Sequence, residues 1–324
     1  MSVKKYPFYA VVEDDFRAVN QLIIDRLSSH IPMVEEIANY LIEAGGKRLR
    51  PLLVLLSAKS CNYGDKLHLT LAAVIEFLHT AMLLHDDVVD DSDLRRGRST
   101  VNAAWGNPPS VLVGDFLHSR AFEMMVEIGE MRVMEILSHA TNVIAEGEVQ
   151  QLSNLKNPDL SEQSYMEVIR RKTAMLFEAA SHSGAVLAGA DRDIELALRD
   201  YGAHLGLAFQ LIDDVLDYDG ETASLGKNVG DDLAEGKVTL PLIYAMDQGS
   251  QSQTDLIRQA IRQGGLDSLS EIITTVESTG ALEYTMEKAR QEREKAIQSL
   301  GNIAPSSYQQ AMYNLVNFVV ERNH

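Results

Sequence analysis

Cysteine is almost absent from this sequence, with Cys61 alone among 324 residues. That excludes an intramolecular disulfide and a cysteine-based metal site. Cys61 follows Lys59-Ser60 at a helix end and reads as structurally incidental. Basic charge is also scarce: 29 Lys and Arg stand against 47 Asp and Glu, a formal net charge of −18. Such a surface repels nucleic acid and anionic membranes over most of its extent, although a local basic cluster can still hold a phosphate. Met1 to Val12 lacks the apolar core of a secretory signal, and no uninterrupted apolar run reaches the length of a membrane span. The expectation is a cytoplasmic protein with no membrane span and no nucleic-acid partner. Linkers rich in Ser, Pro or Gly, long blocks of like charge, and alternating runs bounded by hairpin turns are missing too. With 45% hydrophobic and 23% charged residues, one domain over residues 1–324 is the simplest organisation.

What the sequence does contain is helical periodicity, segment after segment, which makes the expected fold class all-α. Helices are expected over Phe16 to Leu27, Met33 to Ala44, Pro51 to Lys59, Lys66 to Asp90, Pro109 to Ile128, Met131 to Leu152, Ser161 to Gly189 and Arg192 to Tyr218. A further set runs from Leu240 onward. Gly45-Gly46, Asn62-Tyr63-Gly64, Gly106-Asn107-Pro108-Pro109, Asn157-Pro158-Asp159 and Asp219-Gly220 punctuate them. Leu67 to Leu84 and Ala203 to Ile212 are apolar on nearly every face, as helices inside a large bundle are.

Each of those two helices runs into aspartates. Asp86-Asp87-Val88-Val89-Asp90 and Asp213-Asp214-Val215-Leu216-Asp217 form the one internal repeat evident in the chain. Residues four apart share a helix face, so Asp86 projects with Asp90 and Asp213 with Asp217. Like charges so close are destabilising unless a cation compensates them, and hard oxygen ligands suit Mg²⁺. Mg²⁺ commonly takes one or two carboxylates and completes its shell with water and phosphate oxygens, so a diphosphate held by two facing clusters fits. A single carboxylate run is more often solvated surface. Two runs, each continuing an apolar helix, shift the balance to a metal site.

An anionic substrate needs cations. Gly45-Gly46-Lys47-Arg48-Leu49-Arg50-Pro51 supplies three, and Arg95-Arg96 lies just beyond the first cluster. Arginine can fork two hydrogen bonds onto phosphate oxygens. Taken singly, each reads as a solvated helix end. Their position beside the acidic cluster, with two glycines permitting close backbone approach, favours phosphate binding.

These stretches, together with His85 through Gly97, Gly114-Asp115-Phe116, Glu146-Gly147-Glu148, Lys172-Thr173, Phe209 through Asp217 and Gly226 through Asp232, carry a family resemblance along nearly the whole chain. The sequence resembles the trans-type polyprenyl diphosphate synthases, and within them the octaprenyl-forming bacterial members. The resemblance implies the isoprenoid-synthase helical bundle around a central cavity, two or three Mg²⁺ ions, and a homodimer. It implies isopentenyl diphosphate bound by Lys47, Arg50, His79 and Arg96, and an allylic diphosphate contacted by Arg95, Lys172, Thr173, Gln210, Lys227 and Lys237. Asp86, Asp90 and Asp213 would be the principal metal ligands, with Asp87, Asp214 and Asp217 completing the clusters. Lys172 and Lys227 would join the three principal aspartates as catalytic groups. Helical spacing supports part of this, since Gln210 lies one turn before Asp213 and Asp214, and His79 two turns before Asp86. His79 alone reads as a core histidine, as His85, His118 and His204 do.

The implied reaction condenses isopentenyl diphosphate onto an allylic primer, farnesyl diphosphate by expectation, to give an octaprenyl chain for quinone side chains. The small Ala81 stands where short-chain relatives tend to carry an aromatic, which favours a long product. Met82 is bulkier than the polar residue expected there. Phe122, Met124 and Met125 are candidates for a tunnel floor, although Met and Phe at helical spacing are more often core. A terpene cyclase is disfavoured by Asp217, where its second motif places Ser or Thr. A non-catalytic subunit is disfavoured by the complete motif set.

Overall fold

The computed structural model describes residues 6–95, 97–218, 230–264 and 267–322. Its longer helices are α1 (Glu13–Arg26), α2 (Pro32–Ala44), α3 (Leu49–Ser60), α4 (Leu67–Val89), α5 (Asn107–Ile128), α6 (Met131–Asn154), α7 (Glu162–Ile169), α8 (Met175–Leu187) and α9 (Arg192–Leu216). They continue with α10 (Leu240–Gln248), α11 (Gln251–Gln263), α12 (Leu269–Ser278), α13 (Ala281–Leu300) and α14 (Ser307–Glu321). Among the described residues, β structure is confined to a two-residue hairpin pairing Leu94–Arg95 with Arg98–Ser99. The all-α expectation is met. The segment expected as one helix over Ser161 to Gly189 is instead divided: a π turn, Arg170–Ala174, joins α7 to α8.

The helices form two compact units. One comprises Met1–Thr141, Leu176–Gly202 and Ser299–Leu315; the other comprises Asn142–Met175, Ala203–Gln298 and Val316–His324.

In the first unit α4 packs against α5, α3 and α1. Leu71, Val74, Ile75, Leu78, Ala81 and Leu84 recur at helical spacing and are buried, which removes apolar area worth about 1.5–3 kcal/mol for each large side chain. Among the described residues α4 is the one helix long and apolar enough to cross a membrane, yet 56% of that apolar window is buried inside the protein. Burial of that extent is what a core helix shows. Two glycines allow close helix approach. A Cβ on Gly114 of α5 would lie 2.4 Å from Nε2 of His85, and one on Gly202 of α9 would lie 2.5 Å from the carbonyl oxygen of Phe177 on α8.

In the second unit Tyr218, Leu242, Ile257, Ile261, Ile272 and Val276 make one buried cluster. Tyr165, Leu207, Leu211, Ile212, Leu240 and Val320 make another. The second cluster packs along α9 up to the aspartates at its end.

Candidate active site

Both aspartate clusters occupy the same place on their helices. Asp86 and Asp87 lie in the last turn of α4, and the amide of Asp90, the residue that caps it, donates to the carbonyl of Asp86 at 2.8 Å. Asp213 and Asp214 lie in the last turn of α9, and the amide of Asp217 donates to the carbonyl of Asp213 at 3.0 Å. Six carboxylates thus stand at the negative poles of two helix dipoles, where positive charge is favoured.

The middle aspartate of each cluster turns inward. Asp87 is buried and its Oδ1 accepts from Nε and Nη2 of Arg95 at 2.9 and 2.7 Å. Asp214 is buried as well, its Oδ2 accepting from the Tyr165 hydroxyl at 2.5 Å and its Oδ1 from Nε2 of Gln210 at 2.8 Å. Burial holds the Asp214 carboxyl above the usual carboxylate range, with Asp232 adding to the rise and the Tyr165 and Gln210 hydrogen bonds opposing it. The outer aspartates Asp86, Asp90, Asp213 and Asp217 are half-buried.

In the first unit the structure brings together two residues of the expected isopentenyl diphosphate set. Nη1 of Arg50 lies 3.0 Å from Nε2 of His79, and the Arg50 guanidinium stacks 4.3 Å from the centre of the Phe177 ring. Gly45 and Arg48 both adopt left-handed backbone conformations, at φ of 63° and 48°. Arg48 is directed toward Glu76, 3.6 Å away, and Asn20. The carbonyl of Lys47 accepts from the Tyr9 hydroxyl. Arg96 lies outside the described residues. Ala81 is buried and Met82 half-buried on α4. The candidate floor residues divide: Met124 and Met125 are buried, whereas Phe122 is exposed and packs on the His118 ring at 5.1 Å.

In the second unit Lys172 and Thr173 belong to the π turn. Nζ of Lys172 donates to Glu148 and to Gln151, both at 2.6 Å, and the Thr173 hydroxyl donates to Oε1 of Gln210 at 2.8 Å. Lys237 pairs with Glu235, and Lys227 lies outside the described residues. Sequence reasoning missed Tyr165 and Arg322. Nη2 of Arg322 donates to Oδ1 of Asp213 at 2.6 Å and to the Phe209 carbonyl at 2.9 Å. Neither residue carried a spacing signal, because each acts across a long stretch of chain.

Among the described residues no three His, Cys, Asp or Glu side chains converge to hold a metal by themselves. Outer carboxylates in pairs fit a hard cation that takes one or two protein oxygens and completes its shell with phosphate and water, which is the habit of Mg²⁺.

The sequence model of the polyprenyl synthetase family matches residues 31–276. The chain belongs to that family. Curated relatives among polyprenyl synthetases include the octaprenyl diphosphate synthase of Escherichia coli, 48% identical over 95% of this chain and 96% of the relative. The all-trans-nonaprenyl-diphosphate synthase (geranyl-diphosphate specific) of Rhodobacter capsulatus is 46% identical over 98% of each chain. Among solved structures, a polyprenyl synthase from Caulobacter crescentus, complexed with calcium and isoprenyl diphosphate, superimposes with a TM-score of 0.95 at 45% identity, covering 100% of this chain and 98% of that one. Polyprenyl synthetases of this kind are all-α isoprenoid synthases, in keeping with the fold described above.

Proposed function

We propose that this polyprenyl synthetase is a Mg²⁺-dependent long-chain trans-prenyltransferase, a single catalytic domain that condenses isopentenyl diphosphate units onto an allylic diphosphate. The carrying observation is the shared geometry of the two clusters, each with an outer carboxylate pair one helical turn apart and an inward, hydrogen-bonded partner between them. Asp86, Asp90, Asp213 and Asp217 hold two or three Mg²⁺ ions, while Asp87 and Asp214 orient their helix ends. Bound Mg²⁺ supplies charge neutralisation on a departing diphosphate, the largest single demand of this chemistry.

Lys47, Arg50 and His79, with Arg96, bind the isopentenyl diphosphate. The Arg50 guanidinium, stacked on Phe177, is limited in rotation and so presents a fixed fork to phosphate oxygens. Arg95, Lys172, Thr173, Gln210 and Lys237, with Lys227, contact the allylic diphosphate. Lys172, restrained by Glu148 and Gln151, is positioned before substrate arrives. The buried apolar side chains of α4 behind Asp86, Ala81 among them, favour a long product. Relatives named for octaprenyl and nonaprenyl products lie at the expected length and one isoprene unit above it. The product is an octaprenyl chain made from farnesyl diphosphate and supplied to quinone side chains.

A homodimer is proposed through α5, whose Leu112 and Val126 are 65% and 66% exposed beside the exposed Val111 and Phe122. Light scattering after size exclusion tests it, and a monomer at micromolar concentration overturns it. For the activity, labelled isopentenyl diphosphate, farnesyl diphosphate and Mg²⁺ are incubated with the protein and the products resolved by chain length. An octaprenyl product is expected. No elongation with farnesyl, geranyl or geranylgeranyl diphosphate overturns the proposal.

A further inference from the structure

Four polar groups in the second unit form an unbroken chain that the reaction as described does not use in full. The Tyr165 hydroxyl donates to Asp214 Oδ2, Gln210 Nε2 donates to Asp214 Oδ1, and the Thr173 hydroxyl donates to Gln210 Oε1. Tyr165 and Asp214 are both buried, so neither has water to replace a lost partner. Asp214 and Gln210 lie one turn apart on α9. Tyr165 lies on α7, and Thr173 lies in the π turn that follows it.

The spacing of that clasp depends on the π turn. Thr173 lies eight positions beyond Tyr165, and in a regular α-helix eight steps overshoot two full turns by about 80°. The two side chains would then point to different neighbours. A π turn closes hydrogen bonds from i to i+5 and accommodates one extra residue; here the Met175 amide donates to the Arg170 carbonyl. The wider turn absorbs the overshoot, and both side chains reach α9. The backbone so displaced lies close to α6 at Gly147. A Cβ there would lie 2.8 Å from Cβ of Arg171 and 3.0 Å from the Lys172 nitrogen.

Gln210 has two nearly equivalent amide orientations until a neighbour selects one. Asp214 accepts from Nε2, which turns Oε1 toward the Thr173 hydroxyl and holds that side chain in place until a ligand takes its proton. Tyr165 fixes Asp214 from its other oxygen.

We infer that Tyr165 is a positioning residue for allylic diphosphate binding, anchoring through Asp214 and Gln210 the π turn that presents Lys172 and Thr173. The inference rests on the proposed function. It assigns Gly147 the accompanying part of leaving room for the displaced backbone.

Tyr165→Phe removes the hydroxyl and keeps the ring. Full-length protein with Mg²⁺ is assayed with each substrate varied in turn, and equilibrium binding of farnesyl thiolodiphosphate is measured alongside. The expected result is an allylic KM and an analogue Kd raised by about tenfold, with the isopentenyl KM unchanged. A folded Tyr165→Phe with an unaltered allylic KM and Kd overturns the inference, and so do equal rises in both KM values, which a general loss of structure produces. Should Tyr165→Phe fail to fold, Gly147→Ala crowds the π turn while keeping all four polar groups, and it is held to the same allylic-selective criterion. The wild-type arm separates the two levels of argument. A wild type that elongates no primer overturns the proposed function, whereas an active wild type beside an unaltered variant overturns the positioning role alone.

Discussion

Arg322 Nη2 meets Asp213 Oδ1 at 2.6 Å, with the arginine side chain 6% exposed and its guanidinium 4.0 Å from the centre of the Phe209 ring. A cation therefore neutralises a proposed metal ligand from a residue more than a hundred positions away in sequence. Removing one partner of a charged hydrogen bond this enclosed costs about 2 kcal/mol. Arg322→Ala is expected to lower the stability of the metal-free protein by about that amount in urea denaturation, with Mg²⁺ and a bisphosphonate restoring part of it. An unchanged midpoint refutes the stabilising role.

Asp86→Ala and Asp213→Ala each remove a carboxylate proposed to hold metal. Turnover is expected to fall by about a hundred-fold or more, while far-UV circular dichroism keeps the wild-type helical signal. Rates within a few-fold of wild type would be incompatible with the metal assignment.

Gly202→Ala places a methyl group 2.5 Å from the Phe177 carbonyl oxygen and 2.9 Å from Cβ of Ser181. Alanine is the better helix former by about 1 kcal/mol, but the obstacle includes backbone, and overpacking of this kind costs about 1–3 kcal/mol. A net loss of stability is expected in thermal unfolding, and a gain would show that α8 and α9 separate freely.

His182 sets an acid limb. Burial lowers its imidazole to about 4, Glu195 opposing and Arg199, Arg192 and Arg132 reinforcing. Its Nε2 has no hydrogen-bond partner among the described residues. In the unfolded chain the ordinary value is about 6.5. Because the folded value is the lower one, protonation favours unfolding. The contribution is complete above about pH 6.5 and is lost as pH falls toward 4. His182→Gln is expected to flatten stability across that window, and a slope equal to that of the wild type assigns acid lability elsewhere.

Ala81→Phe fills a buried position on α4. Product analysis with farnesyl diphosphate is expected to show shorter chains than wild type. An unshifted distribution removes Ala81 from chain-length control.

The outer carboxylates were legible in the sequence because their four-residue spacing fixes a common helix face. The same arithmetic puts Asp87 and Asp214 on another face, and the structure finds both buried. What they touch was not legible. Arg95 returns to Asp87 through a two-residue hairpin too short for any alternation to register. Tyr165 and Arg322 reach α9 from segments whose own patterns report only their burial. The division of the expected helix over Ser161 to Gly189 was equally hidden, since Leu176, Phe177 and Ala180 continue an apolar pattern that reads as one helix. Family resemblance points to Arg50 and His79 one by one, and only the structure reveals their direct contact.

The π turn also makes the segment from Tyr165 to Thr173 a matter of counting. Substituting a residue within it alters one side chain, whereas inserting one residue more than the π turn already absorbs would rotate everything downstream by about 100°. Chain length between two anchors is thus itself a constrained character of this molecule, one that tolerates a change of letter far better than a change of frame.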